Sequence, residues 1–162
     1  NDLILLAEEV VEKLKKSNKT LAVAESCTGG LIAKRITDVS GSSSVFNCGI
    51  VSYSNEIKEK VLNVKNDTLK EFGAVSEQTV REMVEGVLKI SGADIAVSVS
   101  GIAGPNSDNT QKPVGLIYLA VSDGKNTVVK KLNNQFATDV RNSNRLTACD
   151  EAFKMILEMI GA

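Results

Sequence analysis

The segment Glu25-Ser26-Cys27-Thr28-Gly29-Gly30 is the first place in the chain where residue types and spacing suggest chemistry. A short apolar strand, Thr20 to Glu25, precedes the turn and a helix follows it, so Ser26 comes at the carboxyl edge of the sheet, where α/β proteins bind ligands. The first N–H groups of that helix lack intrahelical partners and can hold an oxyanion or a phosphate. Spacing alone favours a plainer alternative, a strand-to-helix connection capped by Ser or Thr.

The chain contains no histidine, so whatever base it uses must be another residue. That count excludes Ser-His-Asp and Cys-His catalysis within one chain, and it excludes histidine-based metal sites. Lys58, which follows Tyr53-Ser54-Asn55, can act as a base if burial or a neighbouring cation lowers its pKa from about 10.4. The alternative is a solvated lysine at a polar helix start. Cys27 is an alternative nucleophile, because a helix N-terminus lowers a thiol pKa, although such a cysteine more often only packs.

Two further patterns are typical of anion binding. The Gly-rich segment Ser100-Gly101-Ile102-Ala103-Gly104-Pro105, which continues to Lys112-Pro113-Val114-Gly115, can present backbone N–H groups to an anion. It matches neither a Walker A loop nor GxGxxG, and a structural excursion is an equal alternative, but its length favours a functional role. Arg141 and Arg145 share one helix face and could grip a phosphate, or they form a solvated basic face, which is the commoner case.

Composition limits the class of protein and its partners. The 162 residues, 43% apolar and 24% charged, predict one globular domain over 1–162. Nineteen basic residues against twenty acidic ones disfavour a nucleic-acid partner. No apolar run approaches the roughly 20 residues of a membrane span, and the first residues lack the basic start and apolar run expected of a signal peptide. Three cysteines in no zinc-binding pattern predict free thiols in a reducing cytosol, so we expect a cytoplasmic protein.

Hydrophobic periodicity predicts the elements that must position these residues. The element order is αβα βα(α)α β followed by ββα, with Asp123-Gly124 as a hairpin turn. Alternating strands and helices indicate parallel pairing, and the hairpin adds one antiparallel strand. We therefore expect a three-layer α/β/α domain with a mixed sheet of about five strands. The predicted helices are 3–16, a second helix after Gly30, one capped by Ser54 or Asn55 that runs through Leu62, one capped by Ser76 and ended by Gly92, and 139–160. Their expected inward residues include Leu3, Leu6, Leu31, Leu88 and Ile160. The predicted strands are 20–25, 45–53, 95–100, 115–122 and 125–132.

Taken together, five segments resemble the CinA C-terminal domain family, also known as PncC or nicotinamide-nucleotide amidohydrolase. Their order and spacing carry the resemblance, which covers about residues 4 to 158. It implies an α/β/α fold like that of anticodon-binding domains, no metal cofactor, and conversion of nicotinamide mononucleotide to nicotinate mononucleotide and ammonia, a step of NAD recycling. The five segments are Glu25 to Gly30, Gly41-Ser42-Ser43, Tyr53-Ser54-Asn55 with Lys58, Gly73-Ala74-Val75-Ser76, and Gly101 to Pro105 through Lys112 to Gly115.

The resemblance also implies roles for individual residues. By the match of its motifs to those of the family, Ser26 is the expected nucleophile, Lys58 the expected base and Tyr53 the expected proton-relay partner. We expect the N–H groups near Thr28, Gly29 and Gly30 to hold the oxyanion. The remaining expected contacts, to ribose and phosphate, fall to Gly101, Ala103, Gly104 and a cation, either Lys112 or Arg145.

This chain departs from the family pattern at two points. It reads Ala137-Thr138-Asp139-Val140-Arg141 where a Gly-Asp-Arg-like element is common, and it has Ser100 where Thr is common.

We expect a homo-oligomer with a small-molecule nucleotide substrate, and neither nucleic acid nor membrane as a partner. The alternative function is a non-catalytic nucleotide-binding or oligomerisation module.

Overall fold

A computed structural model describes residues 2–161, with side chains from Leu5 onward. Leu3, expected on the inner face of the first helix, lies outside the described side chains. The helices are α1 (Asp2–Ser17), α2 (Leu31–Thr37), α3 (Asn55–Leu62), α4 (Asn66–Phe72), α5 (Glu77–Ser91) and α6 (Val140–Gly161), with a 3-10 turn at Ser42–Ser44. The strands are β1 (Leu21–Glu25), β2 (Phe46–Val51), β3 (Ile95–Gly101), β4 (Leu116–Ser122) and β5 (Thr127–Asn133).

The five strands form one mixed sheet in the order β2-β1-β3-β4-β5. β1 pairs in parallel with both β2 and β3, whereas β4 runs antiparallel to β3 and β5. The chain leaves β1 toward β2 on one side and returns to β3 on the other, so the direction of the strand order reverses at β1. Such a reversal opens a crevice at the carboxyl ends of the strands, where α/β proteins bind ligands.

The two faces of the sheet carry side chains of different size. Successive residues of a strand point to opposite faces, so large and small residues that alternate in the sequence are separated onto the two sides. The face covered by α1, α2 and α6 carries larger residues such as Val23, Val97 and Leu119. The face covered by α3, α4 and α5 carries Ala22 and Ala96 among others. The three-layer α/β/α fold with a five-stranded mixed sheet is therefore confirmed. Within the described residues, no helix is long and apolar enough to cross a membrane.

Two contacts fix α3, the helix that carries Lys58. The Ser54 hydroxyl caps its start by accepting from the Ile57 N–H at 3.2 Å, so Ser54 and not Asn55 is the cap. At its end, Gly86 of α5 packs directly on the backbone of Leu62. A Cβ built at Gly86 would lie 2.0 Å from the Leu62 carbonyl oxygen, so only glycine permits this approach.

The structure corrects several predicted boundaries. The hairpin loop has four residues, because the Asp123 carboxylate accepts from the N–H groups of Lys125 at 2.9 Å and Asn126 at 2.7 Å and delays β5 to Thr127. β2 ends at Val51, and its last bond to β1 runs from the Ser52 N–H to the Glu25 carbonyl at 2.8 Å. The optional extra helix is α4. Four residues expected to be inward are only half-buried: Leu6, Leu31, Leu88 and Ile160.

Candidate active site

The carboxyl ends of β1, β2 and β3 bring three predicted segments to one edge of the sheet. Ser26 follows β1 directly, Tyr53 comes two residues after β2, and Gly101 ends β3. All three line one cavity of about 290 Å³. A pocket of that size, with polar groups converging on one point, can hold a small organic molecule or part of one.

The Lys58 amine lies against the Ser26 hydroxyl. The distance from Lys58 Nζ to Ser26 Oγ is 3.0 Å, within reach for proton transfer. Nζ also contacts the backbone carbonyls of Ser52 at 2.7 Å and Tyr53 at 3.4 Å. A neutral amine has two hydrogens and one lone pair. With the hydrogens donated to the two carbonyls, the lone pair is left to accept the Ser26 proton.

Burial prepares Lys58 to act as a base. Its side chain is 1% exposed, and desolvation lowers its pKa from 10.5 to about 8. At pH 7 roughly one-tenth of the Lys58 amine is therefore neutral. A base with a pKa near the working pH combines a usable neutral fraction with enough basicity to take a proton.

The Glu25 carboxylate, fully buried at the end of β1, organises the turn that carries Ser26. Its Oε1 accepts from the Thr28 hydroxyl at 2.6 Å, the Gly30 N–H at 3.2 Å and the Ile32 N–H at 3.1 Å. Its Oε2 accepts from the Ala33 N–H at 3.0 Å. This carboxylate therefore accepts from the N–H groups at the start of α2 that the sequence predicted would bind an external anion.

That arrangement corrects the expected oxyanion site. The Gly30 N–H is engaged by Glu25, and the Gly29 N–H donates to the Ser26 carbonyl at 3.0 Å. Neither is free to bind a substrate oxygen. Within the described part of the chain, the backbone N–H groups of Cys27 and Thr28 donate to no other residue. Cys27 lines the cavity together with Ser26, whereas Thr28 is fully buried and does not line it. Of the donors in this turn, the Cys27 N–H is therefore the one left for an oxyanion.

Cys27 is not activated as a thiolate. It is buried beside Ser26, and burial, assisted by the charge of Glu25, raises its pKa to about 12. The expectation that the helix N-terminus lowers this pKa is wrong, because desolvation outweighs it. Cys48 and Cys149 are also free thiols.

The Gly-rich loop that follows β3 forms one wall of the cavity. Gly101, Ala103 and Gly104 all line the cavity that holds Ser26. At the mouth, Arg141 donates to the Gly104 carbonyl at 2.7 Å and to the Tyr53 hydroxyl at 3.1 Å. Lys58 and Arg141 are the cations lining this cavity among the described residues.

The two cations expected to hold the phosphate lie elsewhere. Lys112 donates to the backbone carbonyls of Phe72 at 2.5 Å and Val75 at 2.6 Å, and so ties the Gly-rich loop to the end of α4. Arg145 donates to the Thr28 carbonyl at 2.8 Å, behind the Ser26 turn. Neither lines the cavity, because backbone carbonyls have taken up both side chains. Of the arginine pair noted in the sequence, Arg141 is the member that reaches it.

Sequence reasoning missed several residues of the site. The Ser52 carbonyl accepts a hydrogen bond from Lys58 Nζ, and a pattern of side chains cannot predict a backbone acceptor. Ser100 is 1% exposed and lines the cavity. The sequence shows it only as a departure from the family pattern and does not place it in the site. Glu25 did carry a signal, since an acidic residue ending the apolar run Leu21–Glu25 must find buried donors.

Comparison with known proteins gives a consistent family. Residues 4–160 match the family described as CinA C-terminal domain. A CinA-like protein of Kosmotoga olearia is 47% identical over 158 residues, which is 96% of this chain and 38% of that protein. A putative competence-damage inducible protein of a Thermoanaerobacter species is 57% identical over 126 residues, 77% of this chain and 30% of that protein. This chain thus spans about a third of these curated relatives.

Solved structures agree in fold. The competence/damage inducible protein CihA of Agrobacterium tumefaciens superposes with a TM-score of 0.93 at 37% identity, covering 100% of this chain and 97% of that one. A competence damage-inducible protein A of Klebsiella pneumoniae gives a TM-score of 0.93 at 34% identity, covering 99% and 98%. The family match extends over almost the whole chain, and the chain therefore belongs to the CinA C-terminal domain family.

Proposed function

We propose that this chain is a Ser-Lys amidohydrolase that converts nicotinamide mononucleotide to nicotinate mononucleotide and ammonia. The observation that carries the chemistry is the buried Lys58 amine 3.0 Å from the Ser26 hydroxyl. The substrate rests on the resemblance of the five sequence segments and on family membership. A cavity with a nucleophile at its base and Arg141 at its mouth supports a substrate with an amide at one end and an anion at the other.

The first half of the reaction forms an ester. Neutral Lys58 takes the Ser26 proton as Oγ attacks the carboxamide carbon, and the carbonyl oxygen becomes an oxyanion. The N–H group of Cys27, which lines the cavity with Ser26, stabilises that charge. The protonated Lys58 then gives its proton to the amide nitrogen, the C–N bond breaks and ammonia leaves. Ser26 now carries the nicotinoyl group of the nucleotide.

The second half repeats the sequence with water. Lys58, neutral again, removes a proton from a water molecule that attacks the ester carbon. The tetrahedral intermediate collapses, the C–O bond to Ser26 breaks, and Lys58 returns the proton to Oγ. Nicotinate mononucleotide is released. Tyr53 is not required as a carrier in this scheme, since its hydroxyl is bonded to Arg141 and Lys58 already holds the proton.

The anionic end of the substrate has one suitable partner at the cavity. Arg141 stands at the mouth with its guanidinium bonded to a carbonyl and a hydroxyl, both neutral acceptors. A phosphate is a stronger acceptor for a guanidinium than either of them. We assign phosphate binding to Arg141, in place of Lys112 or Arg145.

The test is ammonia release and product identification with nicotinamide mononucleotide. The matched pair is Ser26→Ala and Cys27→Ala, adjacent residues at the same turn that each lose one small polar group. We expect Ser26→Ala to lose about three orders of magnitude or more in kcat. Cys27→Ala should stay within about tenfold of wild type, because its buried thiol takes no part in the chemistry.

Other results would lead to different conclusions. Full activity in Ser26→Ala rejects the nucleophile. A folded wild type that is stabilised by the nucleotide in a thermal shift, yet gives no product by chromatography, supports the non-catalytic binding module instead. Loss of activity in Cys27→Ala alone would transfer the nucleophilic role to the thiol.

A further inference from the structure

Among the acidic residues whose side chains are described, Glu25 is the fully buried one, and its described contacts include no cation. Four donors hold its carboxylate: the Thr28 hydroxyl and the N–H groups of Gly30, Ile32 and Ala33. They extend from Thr28, in the turn that follows Ser26, to Ala33 in α2. A buried carboxylate is costly unless its oxygens are well satisfied. These bonds therefore fix the turn in one conformation.

The backbone of the same residue reaches the other half of the catalytic pair. The Glu25 carbonyl accepts from the Ser52 N–H at 2.8 Å and from the Ser52 hydroxyl at 3.3 Å. The Ser52 carbonyl in turn accepts from Lys58 Nζ at 2.7 Å. Glu25 is thus bonded to the Ser26 turn through its side chain and to the Lys58 anchor through its main chain.

We propose that Glu25 is a positioning residue that sets the Ser26 hydroxyl within reach of the Lys58 amine, a role that rests on the proposed Ser-Lys function. It acts through geometry. The described hydrogen bonds of its carboxylate go to the turn and to the first residues of α2, and none goes to Lys58. Small misplacements of reacting groups cost large factors in rate, about a hundredfold for about 1 Å. The consequence is a loss in kcat that leaves substrate binding largely intact.

The decisive variant is Glu25→Gln, with Glu82→Gln as the matched control. Gln keeps the shape but can no longer accept from both sides, so at least one donor, such as the Ala33 N–H, faces an NH₂ group. Glu82 also holds the start of a helix, accepting from the Lys65 N–H at 2.8 Å and the Thr68 hydroxyl at 2.7 Å. It lies outside the cavity. Both variants therefore lose a capping carboxylate, and only one is beside Ser26.

Two readouts separate position from stability. With nicotinamide mononucleotide, we expect Glu25→Gln to lower kcat by about tenfold to a hundredfold with KM within about threefold. Glu82→Gln should leave kcat within about twofold, although both variants lose thermal stability. The second readout is the rate at which a fluorophosphonate labels Ser26, measured by intact mass. In that reaction the Oγ–P bond forms, fluoride leaves and Lys58 takes the proton, so the rate should fall in parallel with kcat.

Each outcome either supports or overturns the inference. Wild-type kcat and labelling rate in folded Glu25→Gln overturn it, as does an equal loss of kcat in Glu82→Gln. If Glu25→Gln does not fold, Thr28→Val removes one of the four donors with little change of shape. An unchanged kcat and labelling rate there would then overturn the inference. A wild type that is labelled but releases no ammonia refutes the substrate and leaves the labelling test of Glu25 valid. A wild type that does neither refutes the proposed function and this inference with it.

Discussion

Replacing Lys58 with methionine should change how stability depends on pH. The folded chain buries this amine almost completely, and desolvation lowers its pKa from 10.5 to about 8. In the unfolded chain the amine returns to water and to its ordinary pKa. Methionine has a similar length but does not titrate, so the variant lacks this contribution.

The sign and size follow from proton binding in the two states. Below about pH 8 the amine is protonated in both states, and the fold bears the full cost of burying the charge, about 3 kcal/mol. Between about pH 8 and 10.5 the unfolded state binds more protons, so the free energy of unfolding rises with pH. From pH 7 to 9.5 this group alone should add about 2 kcal/mol to the stability of wild type. Lys58→Met should gain none of it.

The assay is urea unfolding of both proteins at pH 7 and pH 9.5, because the difference between them cancels other titrating groups. The matched control is Lys60→Met, which removes an exposed lysine from the same helix. Its difference from wild type should stay constant. If the difference between wild type and Lys58→Met changes by less than about 0.5 kcal/mol over this range, burial has not lowered the lysine pKa and the reasoning is refuted.

Three further variants test other contacts. Gly86→Ala places a methyl group against the Leu62 carbonyl and should lower the free energy of unfolding by about 2 kcal/mol in urea; an unchanged midpoint contradicts the close contact. Tyr53→Phe should keep kcat within about threefold of wild type if the tyrosine carries no proton, whereas a hundredfold loss assigns the relay to its hydroxyl. Arg141→Gln should raise KM for the nucleotide by about tenfold with little change in kcat. Arg81→Gln, at a half-exposed arginine outside the cavity, should change neither. Equal KM values in the two variants would remove Arg141 from phosphate binding.

The fold was largely predictable because its signals are local. Helix periodicity marks α1 and α5, apolar runs mark β1 and β3, and the order of elements indicates which strands pair in parallel. The hairpin loop shows the limit, since Asp123 can accept from N–H groups two and three residues ahead and so lengthens the turn. Dipeptide preference alone does not include that competition.

The candidate site was predictable only in part. Ser26 and Lys58 each follow the carboxyl end of a parallel strand, so their meeting at one edge could be expected from topology. The contacts of Lys112 could not be predicted, because its acceptors are backbone carbonyls 37 and 40 residues away in the sequence. The N–H groups at the start of α2 are a local case, because the Glu25 carboxylate that occupies them lies seven and eight residues before Ile32 and Ala33. Its position at the end of a buried strand was a signal for such donors. Local pattern identifies groups able to bind a ligand, but tertiary contacts decide which of them stay free.

The dependence of kcat/KM on pH tests the central claim most directly, because it reports the ionisation of the free enzyme. Deamidation of nicotinamide mononucleotide, followed from pH 6.5 to 9.5, should rise about tenfold per pH unit at low pH and level off above the Lys58 pKa of about 8. A rate that is constant across this range, in an enzyme that still requires Ser26, would mean that the lysine beside it is not the base.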